Sequence, residues 1–391
     1  MSADVRAVVV VGAGAAGLTA AETLREHGFA GRITLIGAES HAPYDRPPLS
    51  KQVLLGSWEP DRLALRPPGS YAELGLDLRL GRQATGLDRP ARRVRLDDGT
   101  TVEFDGLVIA TGVRPRRLPG AGACYLRTVE DALALRERLS SARHTVVVGA
   151  GFLGIEIAAA ARSLGSAVTV VDPLPSPMIR QFGPALGELV RAAGEENGVV
   201  FRLGVGVTAA DAGTVALADG TTLAADLVVA AVGAEPATEW LAGSGLDLRG
   251  GVRCDAFCRA ADRVYAAGDV ACNPDPATGA HRRFEHRMNA TEQGRRAALN
   301  LLGHDEPFAP SHFFWTDAGD VRIQAAGTFA DGELMVVDGA VADGKFVAAH
   351  AAGGRVTGVL GWNSPRGFTR ARGRLGAPAG EGQSTEGKVL T

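Results

Sequence analysis

Two short glycine groups carry the residues of this chain that are best suited to bind a nucleotide. The first is GAGAAG at residues 12–17 and the second is GAGFLG at residues 149–154. In such a pattern the first glycine permits a tight turn, the second lets a pyrophosphate approach the backbone, and the third lets a helix pack closely on a strand. An acidic residue, Glu39 or Asp172, follows each group after roughly 20 residues, where a carboxylate can bind ribose hydroxyls. We therefore predict two dinucleotide sites; the alternative is an internal duplication with one inactive site.

The elements that must position these groups follow from the apolar periodicity. Each group lies between a strand-like run and a helical pattern, so that a phosphate would lie at a helix N-terminus, where free N–H groups and the dipole favour an anion. The predicted elements are strand 8–11, helix 18–27 and strand 33–36 around the first group, and strand 144–148, helix 155–164 and strand 167–171 around the second.

Three further apolar runs end in small or acidic residues. They lie at 106–112, 227–233 and 263–269. Ligands of open parallel sheets bind beyond the carboxyl ends of the strands, and these strand ends supply further candidate cofactor contacts: Ala110, Thr111, Gly112, Gly233, Gly268 and Asp269. Downstream, alanine and leucine spacing predicts a helix over 289–302, and residues 308–360 have the pattern of short strands, including 321–324 and 333–337.

Length and composition limit the class of protein. A chain of 391 residues suggests two or three domains, and 46% hydrophobic with 22% charged residues is typical of a soluble globular protein. The net charge of -3 argues against bulk attraction to nucleic acid or to membranes. The N-terminal apolar run is too short for a membrane span, so we expect neither a signal peptide nor an anchor.

The cysteines favour a reduced, cytoplasmic protein. Cys124, Cys254, Cys258 and Cys272 contain no CxxC spacing, and we interpret them as small core residues. A redox or metal pair of Cys254 and Cys258 is the alternative, but partner ligands at zinc-like spacing are missing. The histidines form no HExxH motif either, so no metal site is predicted.

Several segments together resemble the flavoprotein ferredoxin reductases of bacterial P450 and aromatic-ring dioxygenase systems. Besides the two glycine groups, they are PYDRPPLSK at 43–51, ATG at 110–112, AAGDV at 266–270 and FWTD at 314–317. The resemblance covers the chain from residue 8 to about residue 375. The PYDRPPLSK and WTD segments make it specific, because they separate this group from other flavoproteins with two dinucleotide sites.

The resemblance implies an α/β fold with two Rossmann-like dinucleotide-binding domains of the glutathione-reductase type and a small α+β C-terminal domain. The FAD-binding domain would comprise 1–112 and 243–305, with an NAD-binding domain inserted at 113–242. A reductase domain at 306–375 would follow. Residues 376–391 are rich in Gly, Ser and Glu without periodicity, which predicts a disordered tail.

The resemblance also assigns roles to individual residues. Three of them are expected at the reacting centre: Lys51 and Glu156 as a charged pair beside the flavin edge, and Trp315 facing the flavin on the ferredoxin side. Expected FAD contacts are Gly12, Gly14, Ala15, Ala16, Gly17, Glu39, Arg46, Lys51, Ala84, Arg127, Asp269 and the helix start at Glu285, His286 and Arg287. Candidate contacts of the nicotinamide nucleotide are Gly149, Gly151, Phe152, Leu153, Gly154, Glu156, Asp172, Arg180 and Gly233, of which Arg180 would serve only NADPH.

Physical chemistry agrees with these roles but leaves alternatives. A lysine near a flavin stabilises its anionic reduced form, and a carboxylate partner holds the lysine in place. Lys51 could instead be an ordinary solvated lysine, Glu156 a helix N-terminal acid interacting with the dipole, and Trp315 a core aromatic residue. Asp172 favours NADH because its carboxylate would repel a 2'-phosphate. NADPH would require a nearby arginine, for which Arg180 is the candidate.

The function implied by the resemblance is hydride transfer from NADH to FAD, followed by single-electron transfer to a [2Fe-2S] ferredoxin that serves a cytochrome P450 or Rieske oxygenase. The protein would be a monomer or homodimer without nucleic-acid or membrane partners. Ferredoxins are usually acidic, and a basic strip near the C-terminus could bind one or could simply be solvated. The strip comprises Arg366, Arg370, Arg372 and Arg374.

Two positions depart from the family pattern, and two other classes compete. Members often have a tryptophan or a small apolar residue at the position of Arg287, and a glutamine at that of Ala318. A disulfide reductase or peroxide-reducing oxidase would need a cysteine beside the flavin, whereas residues 41–45 are HAPYD. A redox-sensing protein like apoptosis-inducing factor would share the lysine–glutamate pair, so the sequence alone does not dismiss it.

Overall fold

The computed structural model describes residues 5–67, 69–276, 278–329 and 332–379. They fall into two compact units. The first unit contains the chain up to Asp45 together with Asp61–Arg114 and Ala234–Ser311. The second contains Arg46–Pro60, Pro115–Gly233 and the chain from His312 onward. Residues 46–60 and the C-terminal sheet therefore group with the segment predicted to bind NAD.

The strands and helices are numbered in chain order. The strands up to residue 148 are β1 Ala7–Val11, β2 Arg32–Gly37, β3 Leu76–Leu80, β4 Ala84–Asp88, β5 Arg93–Leu96, β6 Thr101–Glu103, β7 Gly106–Ile109, β8 Val113–Pro115, β9 Ala123–Cys124 and β10 His144–Val148. The later strands are β11 Ala167–Asp172, β12 Val199–Leu203, β13 Val207–Asp211, β14 Thr214–Leu217, β15 Thr222–Ala224, β16 Leu227–Ala230, β17 Ala234–Pro236, β18 Val252–Arg253, β19 Arg259–Ala261, β20 Val264–Ala266, β21 Ala271–Pro274, β22 His281–Arg282, β23 Phe314–Ala318, β24 Val321–Gly327, β25 Glu333–Ala340, β26 Lys345–Ala352 and β27 Arg355–Trp362. The α-helices are α1 Ala15–Glu26, α2 Ser70–Glu73, α3 Val129–Leu139, α4 Phe152–Ser163, α5 Ile179–Glu196, α6 Arg287–Leu301 and α7 Pro365–Arg372.

The first unit is built on a six-stranded sheet in the order β19-β20-β7-β1-β2-β3. β1 pairs in parallel with both β2 and β7, and β20 pairs in parallel with β7. The valines of β1 are 0–2% exposed, as expected for a central parallel strand covered on both faces. The carboxyl ends of β1, β7 and β20 therefore lie side by side at one edge of the sheet.

The second unit repeats this arrangement in a five-stranded sheet of order β12-β11-β10-β16-β9. β10 pairs in parallel with β11 and with β16. A separate antiparallel sheet, β23-β24-β27-β26-β25, follows in the same unit. α7 covers part of it, with Phe368 buried among Ala326, Val347 and Val359. The predicted class, two Rossmann-like sheets with a smaller α+β part, is confirmed.

Most predicted elements are present, but their bounds differ and two long helices were not anticipated. α1, α4 and α6 each begin two or three residues before the predicted start. α3 was missed although its capping box, Thr128 with Asp131, was a usable signal. α5 was missed because Gly183, with φ 77°, and Pro184 interrupt its helical pattern. Of the predicted tail, Gly376 and Ala377 form backbone hydrogen bonds with Val356 of β27, Ala379 forms one with Gly354, and residues 380–391 lie outside the described part.

Candidate cofactor and catalytic site

The turn formed by the first glycine group excludes a side chain at two of its three glycines. Gly12 has φ +115°, and a Cβ added there would lie 2.0 Å from the carbonyl oxygen of Ala110. A Cβ on Gly17 would lie 1.9 Å from the carbonyl oxygen of Gly12. The turn, the strand end of β7 and the first turn of α1, with Ala15 and Ala16, are thus packed directly on one another.

Gly14 is the exception in this tight turn. A Cβ added there would meet no atom within 4 Å, although the flanking glycines have no such room. Gly14 is the N-cap of α1, and no side chain caps the helix. An open space at an uncapped helix N-terminus is suited to bind a phosphate, so the residues present fit the pyrophosphate of a dinucleotide.

The second glycine group reproduces this geometry. Gly149 has φ +107° with its added Cβ 2.3 Å from the carbonyl oxygen of Ala231, and that of Gly154 would lie 1.8 Å from the oxygen of Gly149. Gly151 again meets nothing within 4 Å and is the uncapped N-cap of α4. Phe152 and Leu153 form the first turn of that helix, and Gly233 follows the end of β16. This half also fits a pyrophosphate.

Asp172 ends β11 beside this turn. Its Oδ2 accepts a hydrogen bond from the backbone N–H of Ala150 at 2.7 Å, and its Oδ1 accepts one from that of Leu174 at 2.8 Å. The carboxylate therefore helps to fix the glycine turn, a role that the sequence did not suggest. An ionised carboxylate has about four lone-pair sites, so Asp172 retains acceptors for ribose hydroxyls. Arg180 is exposed in the first turn of α5.

Most of the other predicted cofactor contacts of the first unit follow the carboxyl ends of strands in its six-stranded sheet. Glu39 follows β2 and accepts a hydrogen bond from the hydroxyl of Tyr44. The Oγ1 of Thr111 donates to the carbonyl of Ala237 at 2.8 Å. Gly268 and Asp269 follow β20, and the backbone N–H of Gly268 donates to Oε1 of buried Gln293 at 2.8 Å. Sequence reasoning missed Gln293, which lies inside a predicted helix. Ala110 and Gly112 follow β7, and Ala84 begins β4.

The start of α6 is tied to the segment after β2. His286 is its N-cap and Arg287 its first residue. The Arg287 guanidinium forms an ion pair with Asp45 and also donates to Thr291. Glu285 pairs with Arg283 at 2.9 Å. Arg287, at which this chain departs from the family pattern, therefore has its charge paired with the carboxylate of Asp45 in the same unit.

The second unit brings Lys51 and Glu156 together. The Nζ of Lys51 lies 2.8 Å from Oε1 of Glu156, and the two side chains are only 11% and 8% exposed. The Lys51 Nζ also donates to the carbonyl of Pro47 at 3.2 Å. Lys51 is thus not an ordinary solvated lysine, and Glu156 is engaged by a cation in addition to any interaction with the helix dipole.

Three other predicted site residues belong to the second unit. The Nη1 of Arg46 donates to the carbonyl of Arg127 at 2.8 Å. Trp315 lies on β23, half-buried, and its ring stacks on that of Phe313 with centroids 5.9 Å apart. Their contacts with a cofactor stay predictions.

The four cysteines lie outside both glycine turns. All four are free. Burial raises the pKa of the Cys258 thiol to about 12, and it raises the pKa of Cys254 well above its ordinary value. Neither thiol is therefore ionised near neutral pH, and thiolate chemistry at these positions is suppressed.

A thiol titration tests which of the four cysteines are accessible in the native protein. In the native protein we expect a charged aromatic disulfide reagent to modify only half-buried Cys124 quickly, because the other three thiols are buried. After denaturation all four should react. Fast reaction of a second thiol in the native state, or fewer than four thiols after denaturation without reductant, would contradict this assignment.

The described residues show neither a metal-binding cluster nor a membrane-spanning helix. No group of three or more His, Cys, Asp or Glu side chains there is arranged to hold a metal ion. Within the same residues, no helix combines the length and the apolar character required to cross a bilayer.

Comparisons with known proteins match nearly the whole chain. Residues 6–294 match the family described as pyridine nucleotide-disulphide oxidoreductase, and residues 313–380 match the one described as reductase C-terminal. The ferredoxin–NAD(+) reductase component of the anthranilate 1,2-dioxygenase system of Burkholderia cepacia is 40% identical over 97% of this chain and 96% of its own length. Rhodocoxin reductase of Rhodococcus erythropolis is 39% identical over 93% of this chain and 88% of its own.

Solved structures agree with these matches. The ferredoxin reductase for the CYP199A2 system of Rhodopseudomonas palustris superposes with a TM-score of 0.91 at 34% identity, covering 95% of this chain and 96% of that one. The covalent putidaredoxin reductase–putidaredoxin complex matches with a TM-score of 0.89 at 32% identity, covering 95% and 94%.

Proposed function

The chain belongs to the pyridine nucleotide-disulphide oxidoreductase family, and on this premise we propose that it carries electrons from NADH through FAD to a [2Fe-2S] ferredoxin serving an oxygenase. The predicted enzyme class, an oxidoreductase of the ferredoxin–NAD(+) reductase type, and the predicted cofactors, FAD and NAD(H), are confirmed. The observation that carries the proposal is the pair of glycine turns, each with one open glycine at an uncapped helix N-terminus.

The protein's own residues bind and orient, while the cofactors supply the redox chemistry. When bound, NADH supplies a hydride and FAD accepts it and releases electrons singly. Gly14 and Gly151 would admit the two pyrophosphates, and Glu39 and Asp172 would select the riboses. Glu156 holds Lys51 in one position, so that the buried ammonium provides a fixed positive charge. A charge fixed before the reaction favours developing negative charge without the cost of reorganisation.

The absence of a suitable cysteine argues against disulfide chemistry despite the family's descriptive name. Disulfide reductases of this family need a redox-active cysteine beside the flavin. The segment 41–45 contains none, and Cys254, Cys258 and Cys272 are buried free thiols in the first unit. Electrons are therefore proposed to leave for an external carrier.

The proposed carrier is a small acidic ferredoxin. Two relatives are reductases of ferredoxin-using systems by name, and this chain presents arginines on and after α7. Arg370 forms only an exposed ion pair with Asp338 at 3.4 Å, and the guanidinium of Arg372 lies over the ring of Phe313, 5.2 Å from its centroid. Exposed cations of this kind steer an acidic partner and accelerate association at low salt.

A reduction assay tests the proposal. Purified protein is mixed with NADH and cytochrome c, with and without a [2Fe-2S] ferredoxin. We expect rapid cytochrome c reduction only when ferredoxin is present. Slow reduction that does not respond to any added ferredoxin would favour the redox-sensing alternative.

Asp172→Arg is expected to shift the nucleotide preference toward NADPH. The arginine removes the carboxylate that repels a 2'-phosphate and adds a cation that attracts it, so the NADPH-to-NADH ratio of kcat/KM should rise by roughly 10- to 100-fold. Steady-state kinetics with both nucleotides measure this ratio. Asp172→Asn is the control, because it removes the charge but keeps an acceptor for the Ala150 N–H. An unchanged ratio in Asp172→Arg would refute the assignment.

A further inference from the structure

Glu156 has more partners than the lysine that the family resemblance predicts. Its Oε1 accepts from Lys51 at 2.8 Å and from Oγ1 of Thr316 at 2.7 Å. Its Oε2 accepts from Oγ of Ser50 at 2.5 Å. Ser50 is 4% exposed and Thr316 is 0% exposed, so water does not compete for these bonds. The carboxylate is thus held on both oxygens by buried hydroxyls.

The Glu156 carboxylate and its three donors come from three separate segments of the second unit. Ser50 ends a short 3-10 turn over Pro47–Ser50 and directly precedes Lys51. Thr316 lies on β23, next to Trp315, and Glu156 lies on α4. A carboxylate that accepts on one oxygen alone can still rotate about its Cγ–Cδ bond. With a hydroxyl on each oxygen, the plane of the group is fixed, and Oε1 is directed to the ammonium.

We propose that Ser50 and Thr316 are positioning residues, which act on the reaction by fixing the Glu156 carboxylate and through it the Lys51 ammonium. The expected effect on the reaction rests on the proposed function, whereas the expected effect on the position of the Lys51 ammonium does not. An unpaired polar group in this buried place is costly, and hydrogen bonds to charged groups are among the stronger ones. Loss of either hydroxyl should therefore loosen the lysine while the fold is retained.

The chain offers a direct spectroscopic readout, because Lys51, Lys345 and Lys388 are its only lysines. In holoenzyme labelled with 15N at lysine Nζ, an ammonium that is buried and ion-paired exchanges protons with water slowly enough to be observed. Lys345 is exposed. We expect a protected ammonium signal in the wild type that Lys51→Arg removes and thereby assigns.

Thr316→Val keeps the side-chain shape but removes the donor, whereas Thr316→Ser keeps the donor. We expect water exchange of the Lys51 ammonium to accelerate at least roughly tenfold in Thr316→Val and in Ser50→Ala, the factor expected for one lost hydrogen bond to a charged group. Thr316→Ser should stay close to the wild type. Thr357→Val is the matched control, since it removes a hydroxyl bonded to His350 in the same antiparallel sheet without a bond to Glu156.

A second measurement tests whether the hydrogen bond from Thr316 to Glu156 affects the rate of flavin reduction. In stopped-flow experiments with saturating NADH, Thr316→Val should slow flavin reduction several-fold at unchanged NADH affinity, and Thr316→Ser should restore the rate. If the wild-type flavin is not reduced by NADH, the proposed function fails while the exchange result stands. Unchanged ammonium exchange in Thr316→Val and Ser50→Ala, or equal loosening in Thr316→Ser and Thr316→Val, would overturn the inference.

Discussion

Gly14→Val is expected to give a folded protein that is colourless as purified. The backbone at Gly14, with φ -93° and ψ -166°, is allowed for valine, and an added Cβ meets no atom within 4 Å. The side chain would therefore extend into the open space at the start of α1, where a pyrophosphate would bind. Steric exclusion at that place should weaken FAD binding by roughly 100-fold or more. Visible absorbance after FAD titration measures the loss.

The control for this variant is Gly17→Ala. Its Cβ would lie 1.9 Å from the carbonyl oxygen of Gly12, so the apoprotein itself should be destabilised by about 1–3 kcal/mol. Gly14→Val should leave the thermal midpoint of the apoprotein within a few degrees of the wild type. If Gly14→Val still binds FAD with unchanged affinity, the first glycine turn is not the flavin site.

Gly151→Val is expected to give a yellow protein that NADH does not reduce. Gly151 has φ -77° and ψ -174°, and its added Cβ also meets nothing within 4 Å. The valine would fill the open space at the start of α4 and should weaken NADH binding by roughly 100-fold. Dithionite, which needs no nucleotide site, should still bleach the flavin. Anaerobic stopped-flow absorbance compares the two reductants.

Gly151→Val distinguishes the two nucleotide sites, because the first glycine turn at residues 12–17 is unchanged in this variant. Gly154→Ala is the stability control, since its Cβ would lie 1.8 Å from the oxygen of Gly149. Normal bleaching of Gly151→Val by NADH at low concentration would show that the second turn does not bind the reductant. Loss of flavin from Gly151→Val would show that the two turns do not serve separate nucleotides.

Local sequence patterns were sufficient to predict the buried strand and the glycine turn that begin the nucleotide half of each unit. β1 and β10 are buried valine runs, and each is followed by a glycine turn with one wide and two crowded glycines. The crowded positions of such turns require glycine, because any side chain there would collide with backbone atoms that cannot move aside. The Lys51–Glu156 pair was anticipated only through the family resemblance, since the two residues are 105 positions apart in the sequence.

The remaining contacts depend on tertiary structure that no local pattern encodes. Thr316 and Ser50 stood beside residues that had been singled out, yet nothing in their types or spacing predicted a bond to Glu156. The pairing of Arg287 with Asp45 joins positions far apart in the chain. Arg287 of this ion pair occupies a position at which family members often have a tryptophan or a small apolar residue. α5 was missed because a glycine–proline kink hides a helix from periodicity.

The most direct test of the central claim is an anaerobic titration of the purified protein with NADH followed by oxidised [2Fe-2S] ferredoxin. We predict one FAD per chain, bleaching by about one equivalent of NADH, and return of the yellow colour with two equivalents of ferredoxin, since a hydride carries two electrons and each ferredoxin accepts one. A chain that stays colourless after reconstitution with FAD would contradict the account. A flavin that NADH reduces but that passes no electrons to ferredoxin would contradict its final step.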